Sequence, residues 1–142
     1  MVNSVKLEII TPSKRFYSGE VEMVIVKTPT GEEGFMANHS WATKLLEVGP
    51  LWIQEKGSRE FRAAAVSGGY IDVKDTIIIF TDAAEWQEDI DMERAKKEKQ
   101  KAENWLLENK NQDPDNIRRA EIAISKSIAR MKVGGGESKR GH

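Results

Sequence analysis

Through the first 84 residues apolar and polar side chains alternate in short runs rich in β-branched residues, the period of half-buried strands. "VKLEII" (5–10) and "VEMVIVKT" (21–28) are two such runs. In the second, Val21, Met23 and Ile25 share one face, and Glu22, Val24 and Val26 share the other. One face is wholly apolar and the other mostly so, as in a strand covered on both sides. "TPSK" (11–14), "SGE" (18–20) and "TPTGEEGF" (28–35) carry turn chemistry. The segment 49–82 predicts four strands separated by "KGS", "SGG" and "KD". Short strands at close spacing with glycine turns predict a small β-sandwich or flattened barrel.

After Asp82 the period changes. Between Asp91 and Glu108, Met92, Ala95, Ala102 and Leu106 fall at helical spacing, with Lys99 interrupting and Trp105 alongside. Asp89 or Asp91 can cap that helix. "NKNQDPDN" (109–116) ends it, and there Asp113 suits an N-cap and Pro114 the first helical position. A second helix follows with Ile117, Ala120, Ile124, Ile128 and Met131 on one stripe. A short loop between two helices predicts an antiparallel hairpin. The expected fold is thus α+β in sequence order. A β-sandwich over 1–84 leads through a hinge, 85–90, to a two-helix hairpin over 91–133, and 134–142 is expected to be disordered. The stripe is thin, mostly Ala, Ile and Met, while helix formers dominate the rest. Such a hairpin forms easily and docks weakly, which suits a movable element.

Charge refines this picture. The net charge of −1 over 142 residues argues against a globally basic nucleic-acid binder. It conceals a basic tip, since 116–142 holds 7 basic and 2 acidic residues, so an acidic partner is expected there. With no cysteine there is no disulfide frame or thiolate site. "MVNSVKLEII" lacks the apolar core of a signal peptide, and the expectation is a cytosolic protein that reaches a membrane only through partners. The two histidines, His39 and His142, make no paired metal site, and His39 is expected to be a hydrogen-bonded structural residue. "GEEG" (31–34) and "SGG" lack the lysine and hydroxyl residue of a P-loop. No catalytic set emerges, and no metal is expected.

The junction offers more. A helix N-terminus attracts anions. Arg94 lies one turn in, and on the second helix Arg119, Lys126 and Arg130 share a face. An antiparallel hairpin brings Lys126 and Arg130 back toward Arg94. Such a cluster can hold a polyphosphate or serve as a solvated, partner-facing basic surface.

"VEMVIVKTPTGEEGF", "AAAVSGGYIDVKDTIIIFTDAAE", "DIDMERA" and "RRAEIAISKSIARM", in this order, resemble the epsilon subunit of bacterial F-type ATP synthases. The resemblance implies a sandwich that joins the gamma subunit to the ring of membrane c subunits. It implies a hairpin that lies on the sandwich or extends into the alpha/beta catalytic head, where it blocks ATP hydrolysis by meeting an acidic segment of beta. The protein would then be a non-catalytic rotor subunit at the cytoplasmic face of the membrane. In some members the motif Ile/Leu-Asp-x-x-Arg-Ala binds a regulatory ATP with Mg. Here it reads Ile90, Asp91, Met92, Glu93, Arg94, Ala95. Glu85 would be the accompanying acid, and the paired helix-two arginines fall at Lys126 and Arg130. Lysine keeps the charge but loses the bidentate fork, so nucleotide binding is expected to be weaker than with two arginines, or absent. The inhibitory contact would use Arg118, Arg119, Lys126 and Arg130. The family's Gly-Ile-Leu-Pro-Gly-His loop appears as "GFMANH" (34–39), keeping Gly34 and His39. Two other readings stay open: a freestanding ATP-sensing module, and a helical adaptor for nucleic acid.

Overall fold

The computed structural model describes residues 3–136. Seven strands come first: β1 (Val5–Ile10), β2 (Arg15–Thr28), β3 (Gly31–Phe35), β4 (Ala42–Glu55), β5 (Phe61–Val73), β6 (Thr76–Phe80) and β7 (Ala84–Trp86). A 3₁₀ turn, Gln87–Asp89, then leads to α1 (Met92–Glu108) and α2 (Pro114–Gly134). The strands run in the order β1-β6-β5-β4-β2, and β1 pairs back onto β2 to close a flattened barrel. β3 and β7 extend it alongside β2 and β5. Closure leaves the barrel core without an open edge. Leu7, Ile9, Val21, Val24, Val26, Phe35, Ile53, Ile71, Ile77 and Ile79 fill that core and are almost wholly buried.

The sheet has fewer interruptions than the turn residues predict. "SGG" does not separate one strand from the next. β5 runs through it with Gly68 and Gly69 at φ +82° and +107°. There β5 changes neighbour, pairing with β7 through Ala64–Val66 and with β6 from Tyr70 onward. A Cβ at Gly69 would run into the Phe80 carbonyl. These glycines therefore turn a barrel corner. "SGE" likewise lies inside β2, where Gly19 pairs with Leu7. A Cβ there would meet the Tyr17 hydroxyl at 2.7 Å, so the missing side chain makes room for that phenol. "TPTGEEGF" is half turn and half strand, because β3 begins at Gly31 and is anchored by the buried Phe35. A register shift between Val21 and Met23 also regroups the faces of β2. Val21, Val24 and Val26 all reach the core, while Ile25 packs on the outside under the hairpin. His39 bonds through Nδ1 to the Ser40 carbonyl at 2.7 Å.

Both helices start where their caps predict. The Asp91 carboxylate accepts from the Arg94 N–H at 3.0 Å, and that of Asp113 accepts from the Asp115 N–H at 2.9 Å. The helices form an antiparallel hairpin, and α2 lies between α1 and the barrel wall of β4 and β5. Its buried residues are Ser127, Ala129 and Val133. The predicted stripe differs there, because Ile128 is exposed. A helix squeezed between two surfaces buries its small side chains, and the larger isoleucines are left toward the margins. On α1, Ala95 and Ala102 are buried as the spacing predicts. Val133 is 1% exposed and sits on Trp52, Ala63 and Ala65, with Ile25, Phe61 and Ile90 around it. At Gly134 a Cβ would meet Met92 Sδ at 2.7 Å and Ile90 Cγ2 at 2.8 Å. The end of α2 thus comes down onto the start of α1. The expected disorder over 134–142 falls, from residue 137 on, outside the described residues, and Gly134 and Gly135 close the helix.

Candidate functional site

Glu85 lies on β7 opposite Ala65 of β5. That short strand is fixed by its neighbour Trp86. The indole stacks on Phe16 with centroids 4.6 Å apart and meets Tyr17 edge-on at 5.8 Å, and the Arg62 guanidinium lies 3.9 Å from its ring centre. The last strand before the helices is therefore held by a sandwich of cation, indole and phenyl. Tyr17 donates to Glu55 Oε2 at 2.9 Å, and burial together with that carboxylate pushes its phenol up to about 12.

From β7 the Glu85 carboxylate reaches Arg130 of α2. Arg130 Nε donates to Glu85 Oε1 at 2.8 Å and Nη2 to Oε2 at 3.4 Å, a forked pair. Arg130 Nη1 donates to Glu98 Oε2 of α1 at 3.2 Å. Arg94 Nε donates to the other oxygen of Glu98 at 3.0 Å. One ionic network therefore ties barrel, α1 and α2 together. The bond to Glu85 raises the Arg130 pKa, against the opposing effect of burial, with Glu98 and Asp91 assisting.

A cleft of about 820 Å³ opens beside this network, between β5, β7 and both helices. Its floor is small and apolar, built from Ala65, Ala84, Ala102, Ala120 and Ala123. Lys101, Arg119, Lys126 and Arg130 stand on its walls against Glu85 and Glu98, and Trp105 adds an aromatic surface. The volume suits a small-molecule ligand. The excess of cations suits an anion, and the apolar floor suits a flat organic group.

Of the residues singled out from sequence, Glu85, Lys126 and Arg130 line this cleft, and Arg94 reaches it through Glu98. Ile90, Asp91 and Ala95 do not line it. Asp91 caps α1, Ile90 packs beneath Gly134, and Ala95 is wholly buried. Together they place the first turn of α1. Of the basic set on α2, Arg119, Lys126 and Arg130 share the cleft, whereas Arg118 is exposed outside its wall. Sequence reasoning missed Glu98. Its place four residues after Arg94 was the available signal.

Comparison with known proteins points one way. The model of the family described as ATP synthase, Delta/Epsilon chain, beta-sandwich domain matches residues 4–87, and that of its long alpha-helix domain matches residues 88–135. The ATP synthase epsilon chain of Desulforamulus reducens is 40% identical over 134 residues, covering 94% of this chain and 98% of its own. That of Bacillus velezensis is 38% identical over 135 residues, covering 94% and 99%. A chain from the mitochondrial ATP synthase of Euglena gracilis, solved with its F1 and c-ring parts, shares the fold. Its TM-score is 0.76 at 23% identity, covering 89% of this chain and 79% of that one.

Proposed function

The chain belongs to the delta/epsilon-chain family of ATP synthase, and from that premise we propose a non-catalytic rotor subunit with a movable regulatory hairpin. Its barrel would join the gamma subunit to the ring of membrane c subunits at the cytoplasmic face of the membrane. It would be held there through the complex, since no described helix is long and apolar enough to cross a membrane. The carrying observation is the unequal covering of the barrel. The outer face of one region lies under α2. Elsewhere one row of the outer face is bare and apolar. Leu45, 69% exposed, pairs across the sheet with Tyr70, whose ring stacks on Phe80, and Trp41 just before β4 is 68% exposed. An apolar row of this kind on a small barrel suits burial against partner subunits.

The cleft would take a regulatory ATP with Mg, its phosphates against Arg94, Lys126 and Arg130 and its base over the alanine floor. Ligand binding only to the docked hairpin would stabilise docking by about 2.7 kcal/mol at 100 times the dissociation constant. Released, the hairpin would carry Arg118, Arg119, Lys126 and Arg130 to acidic surface in the alpha/beta head and block hydrolysis. A freestanding ATP sensor is the competing reading, and co-purification with gamma and the c ring separates the two. The test compares the whole complex with one lacking residues after Glu88. Assembly should persist and ATP hydrolysis should rise. Changing the four basic residues jointly to Ala should approach the same effect. Unchanged hydrolysis on deletion would remove the inhibitory role.

A further inference from the structure

Glu98 places a carboxylate between the two guanidinium groups that a polyphosphate in this cleft would use. Arg94 Nε donates to one of its oxygens at 3.0 Å and Arg130 Nη1 to the other at 3.2 Å. Two arginines converging on the oxygens of one anion is also how phosphate is held. The rest of the Arg130 fork is engaged, because Nε and Nη2 face Glu85. The side chain of Glu85 is 31% exposed and that of Glu98 46%. Glu85 is thus held by a fork on a strand clamped through Trp86. Glu98 is held by single bonds on a helix surface and is free to turn into water. An incoming phosphate therefore reaches Arg130 through Nη1 and meets Glu98 first.

We propose that Glu98 is an internal occupant of the anion subsite, competing with phosphate for Arg94 and Arg130 and so setting the affinity of the cleft. The inference rests on the reading that the cleft accepts a nucleotide. Its chemistry is anion exchange: the Glu98 carboxylate rotates out, phosphate oxygens take the Arg94 Nε and Arg130 Nη1 donors, and the Glu85–Arg130 fork stays in place. Glu98 also repels the entering polyanion directly, and Lys126 of α2, lining the same cleft, offsets that repulsion. Within this site the carboxylate is a specificity element. It rejects weak monoanions that cannot displace it and admits ligands with enough charge to do so.

The test is titration calorimetry on the full chain and its Glu98→Gln variant, with two probes, inorganic tripolyphosphate and ATP with Mg²⁺. The amide keeps the shape of Glu98 and removes its charge. Two exposed ion pairs are lost as competitors, so both probes should bind roughly 2- to 30-fold tighter. Glu98→Ala, checked for helix content by circular dichroism, should shift binding in the same direction. If Glu98→Gln binds either probe no better than the unmodified chain, the carboxylate orients the arginines instead of competing with phosphate, and the inference is overturned while the nucleotide reading stands. If only the variant binds, the inference holds, and the unmodified chain is not an ATP sensor. If neither chain binds either probe at millimolar concentration, both fall.

Discussion

Val133→Ala measures how firmly the hairpin is docked. Val133 is 1% exposed and is the one residue of α2 in the apolar cluster with Trp52, Ala63 and Ala65. The substitution removes two methyl groups, about 1.6 kcal/mol of transfer free energy. The cavity left beside the rigid indole of Trp52 raises the loss to about 2–3 kcal/mol. Alanine is also the better helix former, by about 0.5 kcal/mol. That gain applies to α2 docked or undocked, provided the hairpin leaves as a formed unit, so it cancels from the docking equilibrium. The net effect is a shift toward the undocked form of roughly 30- to 140-fold, at about 1.4 kcal/mol per decade.

Hydrogen exchange resolves this by element. Amides whose protection depends on docking, in the last turns of α2 and the first of α1, should exchange roughly 30- to 140-fold faster. Those of β4, β5 and β6 should be unchanged. If strand protection falls together with that of the helix, hairpin and barrel open as one unit, and the idea of an independently movable hairpin fails. If no amide accelerates, Val133 is not the anchor, and docking rests on the Arg130 network instead.

A chain ending at Gln87 should fold as a barrel. One ending at Ala84 loses the Trp86 contacts with Phe16 and Arg62, which should lower its stability by about 1–3 kcal/mol in urea unfolding. Equal midpoints would show that Trp86 does not hold β7. The Tyr17 phenol stands at about 12 in the folded chain against an ordinary 10.0. Its raised value favours the neutral form, so its contribution to stability is complete below pH 10 and is lost as pH rises toward 12. Alkaline absorbance titration should show a tyrosinate step near pH 12 that Tyr17→Phe removes. Removal of a step near pH 10 instead would refute the Tyr17–Glu55 pair.

What the sequence revealed follows the range of the interactions. β1 was legible to the residue, and both helix starts were legible, because period and capping are local properties. Gly68 and Gly69 read as a turn because a glycine that breaks a strand and one that bends it look alike until Phe80, eleven residues on, closes against it. The buried face of α2 escaped for a different reason. Hydrophobicity marks Ile124 and Ile128, but a helix pressed on two sides selects small residues, and Ser127 and Ala129 carry little hydrophobic signal. The Glu85–Arg130 fork joins residues 45 apart. Period and spacing do not connect positions so distant, and only the family resemblance placed both in one site.

The chemistry of the docking surface bears on whether such a hairpin could act as a reversible brake. The barrel core consists mostly of aliphatic side chains, with Tyr17 and Phe35, inside a closed ring of strands, so the barrel should fold without the helices. The helices carry their own caps at Asp91 and Asp113, and α2 buries small residues between α1 and the barrel wall. Among the described residues, the two units are joined by Val133, by small residues of α2 along β4 and β5, by a glycine contact at the hinge and by the ionic network around Arg130. Of these only Val133 contributes much apolar burial. The ion pairs are partly exposed, so they add little net stability but fix the orientation. An interface of this kind holds one geometry without holding it tightly. A free-energy input of a few kcal/mol, the size expected from a bound nucleotide or an acidic partner, is then enough to decide the position of the hairpin. The pivot is set by Trp86. β7 stays clamped to the barrel through Phe16 and Arg62, so a departing hairpin would turn about the segment after it, Gln87 to Ile90, where the chain makes a single 3₁₀ turn without a side-chain cap.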